Sequence, residues 1–166
     1  MIKRRLSEEE LQELRAIAKL QFHSVSEEFI PDDVIAVISP STYKIRYLLY
    51  RGKNYLSLRA SDYRLLLHIM SGVKLHDLLP EPLSRVYVNP KYSRFIIDGG
   101  NVFSKHVVFA DPGIKPGDEV LVVEYGSGKL LGVGKSVKPG FAISFHSWGE
   151  AVRIRETIAD LGDAIE

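Results

Sequence analysis

At Leu78-Leu79-Pro80-Glu81-Pro82, near the middle of a 166-residue chain, two prolines fall within three positions. Proline lacks the amide donor that helices and sheets need, and it pushes the residue before it toward extended backbone. No regular element runs through such a stretch, so the chain has to build its cores on either side of it. Its length fits one large or two small domains with a real core to bury, and the prolines favour two. The expected division is residues 1–80 and 83–158.

The first half reads as mixed helix and strand. Ser7 and Glu10 have the spacing of a capping box, with Leu6 and Leu11 placed as a staple across it. Leu11, Leu14, Ala18 and Phe22 then recur at helical spacing, which predicts a helix to about Gln21. Val34 to Ile38 reads as a strand. The run YKIRYLLYRGKNYLSLR reads as two strands joined through Arg51-Gly52-Lys53-Asn54. Ser61-Asp62 is expected to cap a second helix through Met70, closed by Gly72.

The second half reads mainly as strand. SRVYVNP is a strand ended by Asn89-Pro90, and KYSRFIID is a short helix stopped by Gly99-Gly100. EVLVVEY and KLLGVGKSV flank Gly126-Ser127-Gly128 as a hairpin. AVRIRE closes the chain's regular structure, with Val152 and Ile154 inward and Arg153 and Arg155 sharing the other face.

Within that hairpin, GKLLGVGKS ends like a phosphate-binding loop. Such a loop needs glycine, four residues, then Gly-Lys-Ser at the start of a helix. Gly128 lies one place too far from Gly134, and Pro139-Gly140 would break the helix that should follow. Glycines inside a strand mark a bulge, a bend or a close backbone approach. Gly132 and Gly134 are read that way, with Leu131 and Val133 on the opposite face.

Charge and composition exclude several chemistries. The chain has no cysteine, which removes disulfides, thiolate metal sites and a cysteine nucleophile together. Asparagine and glutamine number three and two, a scarcity that resembles proteins of hot environments when charged residues are plentiful. MIKRRLSEEE carries no apolar stretch of a signal peptide and no run is long enough to span a bilayer, so a cytoplasmic protein is expected. His23, His68, His76, His106 and His146 form no metal-binding pattern, and no serine sits in a nucleophile elbow. Asp32-Asp33 and Asp118-Glu119 are adjacent carboxylates, the second pair read as part of a turn. No metal, cofactor or catalytic residue is expected.

Basic residues total 22 against 21 acidic ones, yet they are unevenly spread. Between Ser41 and His76 stand Lys44, Arg46, Arg51, Lys53, Arg59, Arg64 and Lys74 against the single acid Asp62, seven less one, a local charge of plus six. A surface facing an anion requires such asymmetry, and a solvated face of mixed strands would also show it. Phe145 and Trp148 could stack on a base. The burial habit of large aromatics favours plugs at the end of a barrel instead.

With these elements placed, the second half resembles a PUA domain, the RNA-binding module of pseudouridine synthases and of the archaeal enzyme archaeosine tRNA-guanine transglycosylase. The resemblance rests on Gly100-Asn101-Val102-Phe103-Ser104-Lys105, Pro116-Gly117-Asp118-Glu119-Val120, Gly134-Lys135 and Val152-Arg153-Ile154-Arg155, in that order. Upstream, the run from Tyr43 to Val88 looks like the small domain preceding PUA in that enzyme, most closely over Leu58-Arg59-Ala60-Ser61-Asp62 and Leu79-Pro80.

The resemblance implies an α+β protein: a small N-terminal mixed α/β (pre-PUA-like) domain followed by a PUA-type β pseudobarrel. It does not extend to a catalytic barrel, so it implies binding of structured RNA, tRNA first, as a non-catalytic partner in tRNA modification beside a possible catalytic subunit. A protein–protein adaptor in ribosome assembly or translation, docking through the acidic first helix, is the alternative. RNA contacts are expected at Gly99, Gly100, Asn101, Val102, Phe103, Ser104 and Lys105, where glycine would let a sugar-phosphate reach backbone N–H groups. A helix cap is the other reason for those glycines. Arg153 and Arg155, and Arg59 and Arg64 in the first domain, complete the expected contacts.

Overall fold

The computed structural model of the protein describes residues 1–162. The chain divides into two compact units that meet in sequence at Leu79–Pro80.

The first unit is a five-stranded antiparallel meander with two helices. Its strands are β1 (Ile2–Arg5), β2 (Ile35–Ile38), β3 (Ile45–Tyr50), β4 (Lys53–Leu58) and β5 (Leu65–Leu67), paired in that order. Helix α1 (Glu8–Gln21) starts with the expected capping box: Glu10 N–H donates to Ser7 Oγ at 3.1 Å and Ser7 N–H to Glu10 Oε1 at 2.8 Å. Arg4 donates twice to the Glu10 carboxylate, at 2.7 and 2.8 Å, and so ties β1 to α1. That guanidinium holds the Glu10 carboxyl at about 2.

β1 is a strand that the basic opening of the chain does not announce, because none of its side chains is buried to give it a pattern. Its register on β2 is Ile2 opposite Ile38 through Arg5 opposite Ile35. Arg51 (φ +52°) and Gly52 (φ +77°) form the two-residue turn between β3 and β4, both left-handed as a turn that follows the strand twist requires. Phe22 packs edge-on to Phe29 with ring centroids 5.5 Å apart, and Phe29 lies 6.1 Å from Tyr55. All three rings are buried. Each such ring contributes roughly 2–3 kcal/mol of transfer free energy.

The expected helix from Ser61 to Met70 is not formed. Residues 61–64 are a turn, Leu65–Leu67 is strand β5, and helix α2 runs from Ile69 to Leu78 with Gly72 buried inside it. Strand pairing decides the matter, since β5 finds a partner in β4 with Leu56 opposite Leu67 and Leu58 opposite Leu65. Its outer edge meets Gln21, whose side-chain amide donates to Leu65 C=O at 2.7 Å and accepts from Leu65 N–H at 2.8 Å.

The second unit holds β6 (Arg85–Val88), helix α3 (Ser93–Ile97), β7 (Val102–Phe103), β8 (Val107–Ala110), β9 (Glu119–Glu124), β10 (Leu130–Ser136), helix α4 (Gly140–Phe145) and β11 (Glu150–Thr157). Its six strands are ordered β7-β11-β10-β9-β6-β8, with β6 parallel to β9 and all other pairs antiparallel. In a flat sheet the outer strands would stand about 24 Å apart. Yet β7 and β8 are joined by only the three-residue turn Ser104–His106, which spans at most about 14 Å. The sheet therefore curls until its edges nearly meet, as a β pseudobarrel around Val86, Val88, Val102, Val120, Val122, Leu131 and Val152. The whole is an α+β protein, a mixed N-terminal unit followed by a barrel.

The glycines of β10 serve this closure. A Cβ on Gly134 would overlap the Arg153 carbonyl, and one on Gly132 would stand 2.8 Å from Glu156 O. The β10–β11 register shifts between Val133 and Gly134. Close backbone approach and a bulge thus account for the sequence that imitates a phosphate loop.

Candidate nucleic-acid interface

The segment from α3 to β8 is held by a succession of different contacts. Helix α3 ends in a Schellman motif: Gly100 N–H donates to Phe95 C=O at 3.0 Å, and Gly99 N–H to Ile96 C=O at 2.9 Å. Gly99 takes φ +103°, and a Cβ on Gly100 would run into the Phe95 ring. Both amides are thereby spent on the helix end, so they do not face outward for a phosphate as the glycine pair by itself suggests. Asn101 Oδ1 accepts from Ile154 N–H at 2.9 Å and fastens the loop to β11. Val102 is buried, and Phe103 is half-buried against His106.

Ser104 is buried as well. Its N–H donates to Gly149 C=O at 2.9 Å, and its hydroxyl accepts from Lys138 Nζ at 3.0 Å. The same ammonium donates to the Trp148 carbonyl and stands 5.5 Å over the Trp148 ring. Lys138 therefore clamps the turn before β11 against the turn after β7. His106 lies 4.2 Å from the Tyr92 ring and accepts from Phe103 N–H through Nδ1 at 3.2 Å. Desolvation first, and the nearby Lys105 second, push its pKa below the ordinary histidine value. No local sequence signal marks Lys138 or His106, because what they do depends on partners across the barrel.

Lys105 is exposed at the end of this segment. Arg153 is exposed too, with Nε donating to Glu150 at 2.7 Å. Arg155 differs from its neighbour: it donates through both terminal guanidinium nitrogens to the buried Glu119 carboxylate, one of the contacts being 2.9 Å. The two arginines therefore do not form one cationic face. Glu119 begins β9 rather than lying in a turn, while Asp118 accepts from Lys115 N–H at 2.9 Å. Phe145 and Trp148 are not plugs, since 84% and 81% of their surface is exposed.

In the first unit the plus-six run does not form a single patch either. The meander puts the β2–β3 and β4–β5 turns at one end, with Lys44, Arg59 and Arg64, and the β3–β4 turn with Arg51 and Lys53 at the other. Arg59 holds Asp62 bidentately, at 2.9 and 2.5 Å. That guanidinium, with the Arg64 amide, keeps the Asp62 carboxyl at about 2. Among the described residues no group of three or more His, Asp or Glu could hold a metal ion. No helix among them is long and apolar enough to cross a membrane.

Residues 12–82 match the patch-forming domain C2 of tRNA-guanine transglycosylase, and residues 84–158 match the PUA domain. The tRNA-guanine(15) transglycosylase of Pyrococcus furiosus is 36% identical over 147 residues, 89% of this chain and 25% of that enzyme. That of Thermococcus kodakarensis is 36% identical over 143 residues, 86% of this chain and 24% of that one. The chain thus spans about a quarter of the length of these relatives.

Among solved structures, a hypothetical protein from Pyrococcus horikoshii superposes with a TM-score of 0.73 at 24% identity, each chain covered to 99%. A conserved PUA domain protein from Thermoplasma acidophilum gives 0.67 at 17% identity, with 96% of this chain and 95% of that one covered. Two successive domain matches, in the order the barrel and its preceding meander stand here, make this chain a PUA-domain protein that resembles the pre-PUA and PUA part of archaeosine tRNA-guanine transglycosylase.

Proposed function

We propose that this protein binds structured RNA, tRNA in the first instance, and acts in tRNA modification as a binding partner rather than as the catalyst. The observation that carries the reading is that the first unit matches a domain named for a tRNA-modifying enzyme, the second matches a PUA domain, and 89% of the chain aligns with such an enzyme. Lys105 and Arg153 are exposed cations beside the capped loop, and they supply phosphate contacts. Gly99, Gly100, Asn101, Val102 and Ser104 act by fixing the loop's shape, and Phe103 offers a half-buried ring at its edge. Arg59 and Arg64 provide the first unit's share, and Arg155 acts through the barrel wall. Phosphate contacts fix position on an RNA without reading its sequence, which suits a module that accompanies a catalyst.

Titration of a tRNA transcript with the whole protein at several salt concentrations tests this. Binding should weaken steeply as salt rises, because each neutralised phosphate releases counterions. Lys105→Ala/Arg153→Ala should lower both the affinity and the salt slope, the slope by roughly one for each phosphate that is no longer neutralised. A protein that leaves tRNA unbound even at low salt would sink the reading and favour the adaptor.

A further inference from the structure

The two turns at one end of the first sheet are copies of each other. Ser39-Pro40-Ser41-Thr42-Tyr43-Lys44 and Arg59-Ala60-Ser61-Asp62-Tyr63-Arg64 share the same hydrogen bonds. Tyr43 N–H donates to Ser39 C=O at 2.8 Å and Ser39 N–H to Lys44 C=O at 2.9 Å. Tyr63 N–H to Arg59 C=O and Arg59 N–H to Arg64 C=O, both 2.9 Å, repeat the pattern. Thr42 and Asp62 each accept from the amide two residues on. Each turn ends in a tyrosine in the left-handed region, φ +57° at Tyr43 and +59° at Tyr63, followed by a base.

That conformation is disfavoured for a bulky side chain and free for glycine. Nothing in the core needs the rings, because Tyr43 is 75% and Tyr63 49% exposed. The turns would close as well with glycine. Beside them lies a cleft of about 400 Å³ lined by Leu14 and Ile17 of α1 and by Ile45 and Leu58 of the sheet. Lys44 Nζ donates to Tyr63 Oη at 3.2 Å and lies 5.8 Å from that ring's centroid.

We propose that Tyr43 and Tyr63 form a stacking platform for an unpaired RNA nucleotide, with its base over the cleft and its phosphates toward Lys44 and Arg64. Aromatic faces beside cations are how proteins hold bases that are free of a duplex. Of the acids lining the cleft, Glu10 is neutralised by Arg4. Glu13, on the helix side, repels a bare phosphate and can accept from the amino group of a base, which favours an inserted base over an inorganic anion. The inference rests on the RNA-binding reading above and extends it from duplex backbone to unpaired nucleotide.

Tyr43→Gly/Tyr63→Gly tests it, since glycine takes both backbone positions without strain and the fold should keep its Tm. Two probes are compared, a blunt RNA duplex and the same duplex with a single-stranded extension carrying a fluorescent adenine analogue. The parent protein should bind the extended probe more tightly and quench the analogue. The double variant should lose the quenching and about tenfold or more in affinity for the extended probe, as removal of the stacking rings requires. It should bind the blunt duplex unchanged, with an unaltered salt slope, and Tyr43→Phe/Tyr63→Phe should restore the preference. A double-glycine variant that binds and quenches like the parent overturns the platform while RNA binding stands. A parent that binds neither probe overturns both.

Discussion

His106 shows how one side chain both builds and limits the candidate interface. Its Nδ1 must be unprotonated to accept the Phe103 amide, and the ring is packed among Tyr92, Phe95 and Phe103. A histidine whose folded pKa is lowered binds fewer protons folded than unfolded. Its contribution is therefore complete above the unfolded value of 6.5 and is lost as pH falls below it toward the depressed folded value. Denaturant melts at pH 7 and pH 5 should show a loss of stability in the parent that is smaller in His106→Asn, whose amide oxygen can take the same hydrogen bond. An equal loss in both would assign the acid sensitivity elsewhere. Gly100 has the opposite character, since its signal is plain in the sequence and its physical reason is not. A side chain there meets the Phe95 ring and disturbs the end of α3, so such a variant reports on the cap before it reports on RNA.

At the level of elements, β11 carries two arginines that the sequence presents as equals. Alternation along an ideal strand puts residues two apart on one face, but the register shift in the β10–β11 pair breaks that rule. Arg153 ends exposed beside Glu150, and Arg155 ends on the buried Glu119. Arg155→Ala should cost about 2–4 kcal/mol by taking a two-point guanidinium contact from a buried carboxylate, whereas Arg153→Ala should stay within about 0.5 kcal/mol. Urea unfolding of the two variants measures both, and equal stability would deny the difference. The same lesson holds for α2. Ser61-Asp62 looks like a helix cap, and Leu65-Leu66-Leu67 does not contradict it, because a short apolar run has no period of its own. Asp62 instead accepts from Arg64 N–H to close a turn, and β4 recruits the leucines as a strand.

For the whole molecule, each unit holds its own buried core, so the second should fold alone. It should be cut at Pro80, because the buried Arg85 guanidinium donates to the carbonyls of Pro80 and Leu83 at 3.2 and 3.1 Å. Residues 80–166 should melt cooperatively and bind tRNA more weakly than the whole chain, with a shallower salt slope as the first unit's cations are removed. Equal affinity and slope would assign RNA binding to the barrel alone. The sequence by itself determined the interruption of regular structure at Pro80-Glu81-Pro82, the capping box of α1, the β9–β10 hairpin and the strand that imitates a phosphate loop. Each of these is written in residues a few positions apart, where backbone chemistry acts directly. Only the tertiary structure decided that β7 and β8 close the barrel and that Lys138 clamps two turns. It also decided that Arg155 is a wall and that Tyr43 and Tyr63 stand beside one cleft. Those outcomes depend on which distant groups meet and which are left in water, and pairing across the sheet settles that after the local signals are spent.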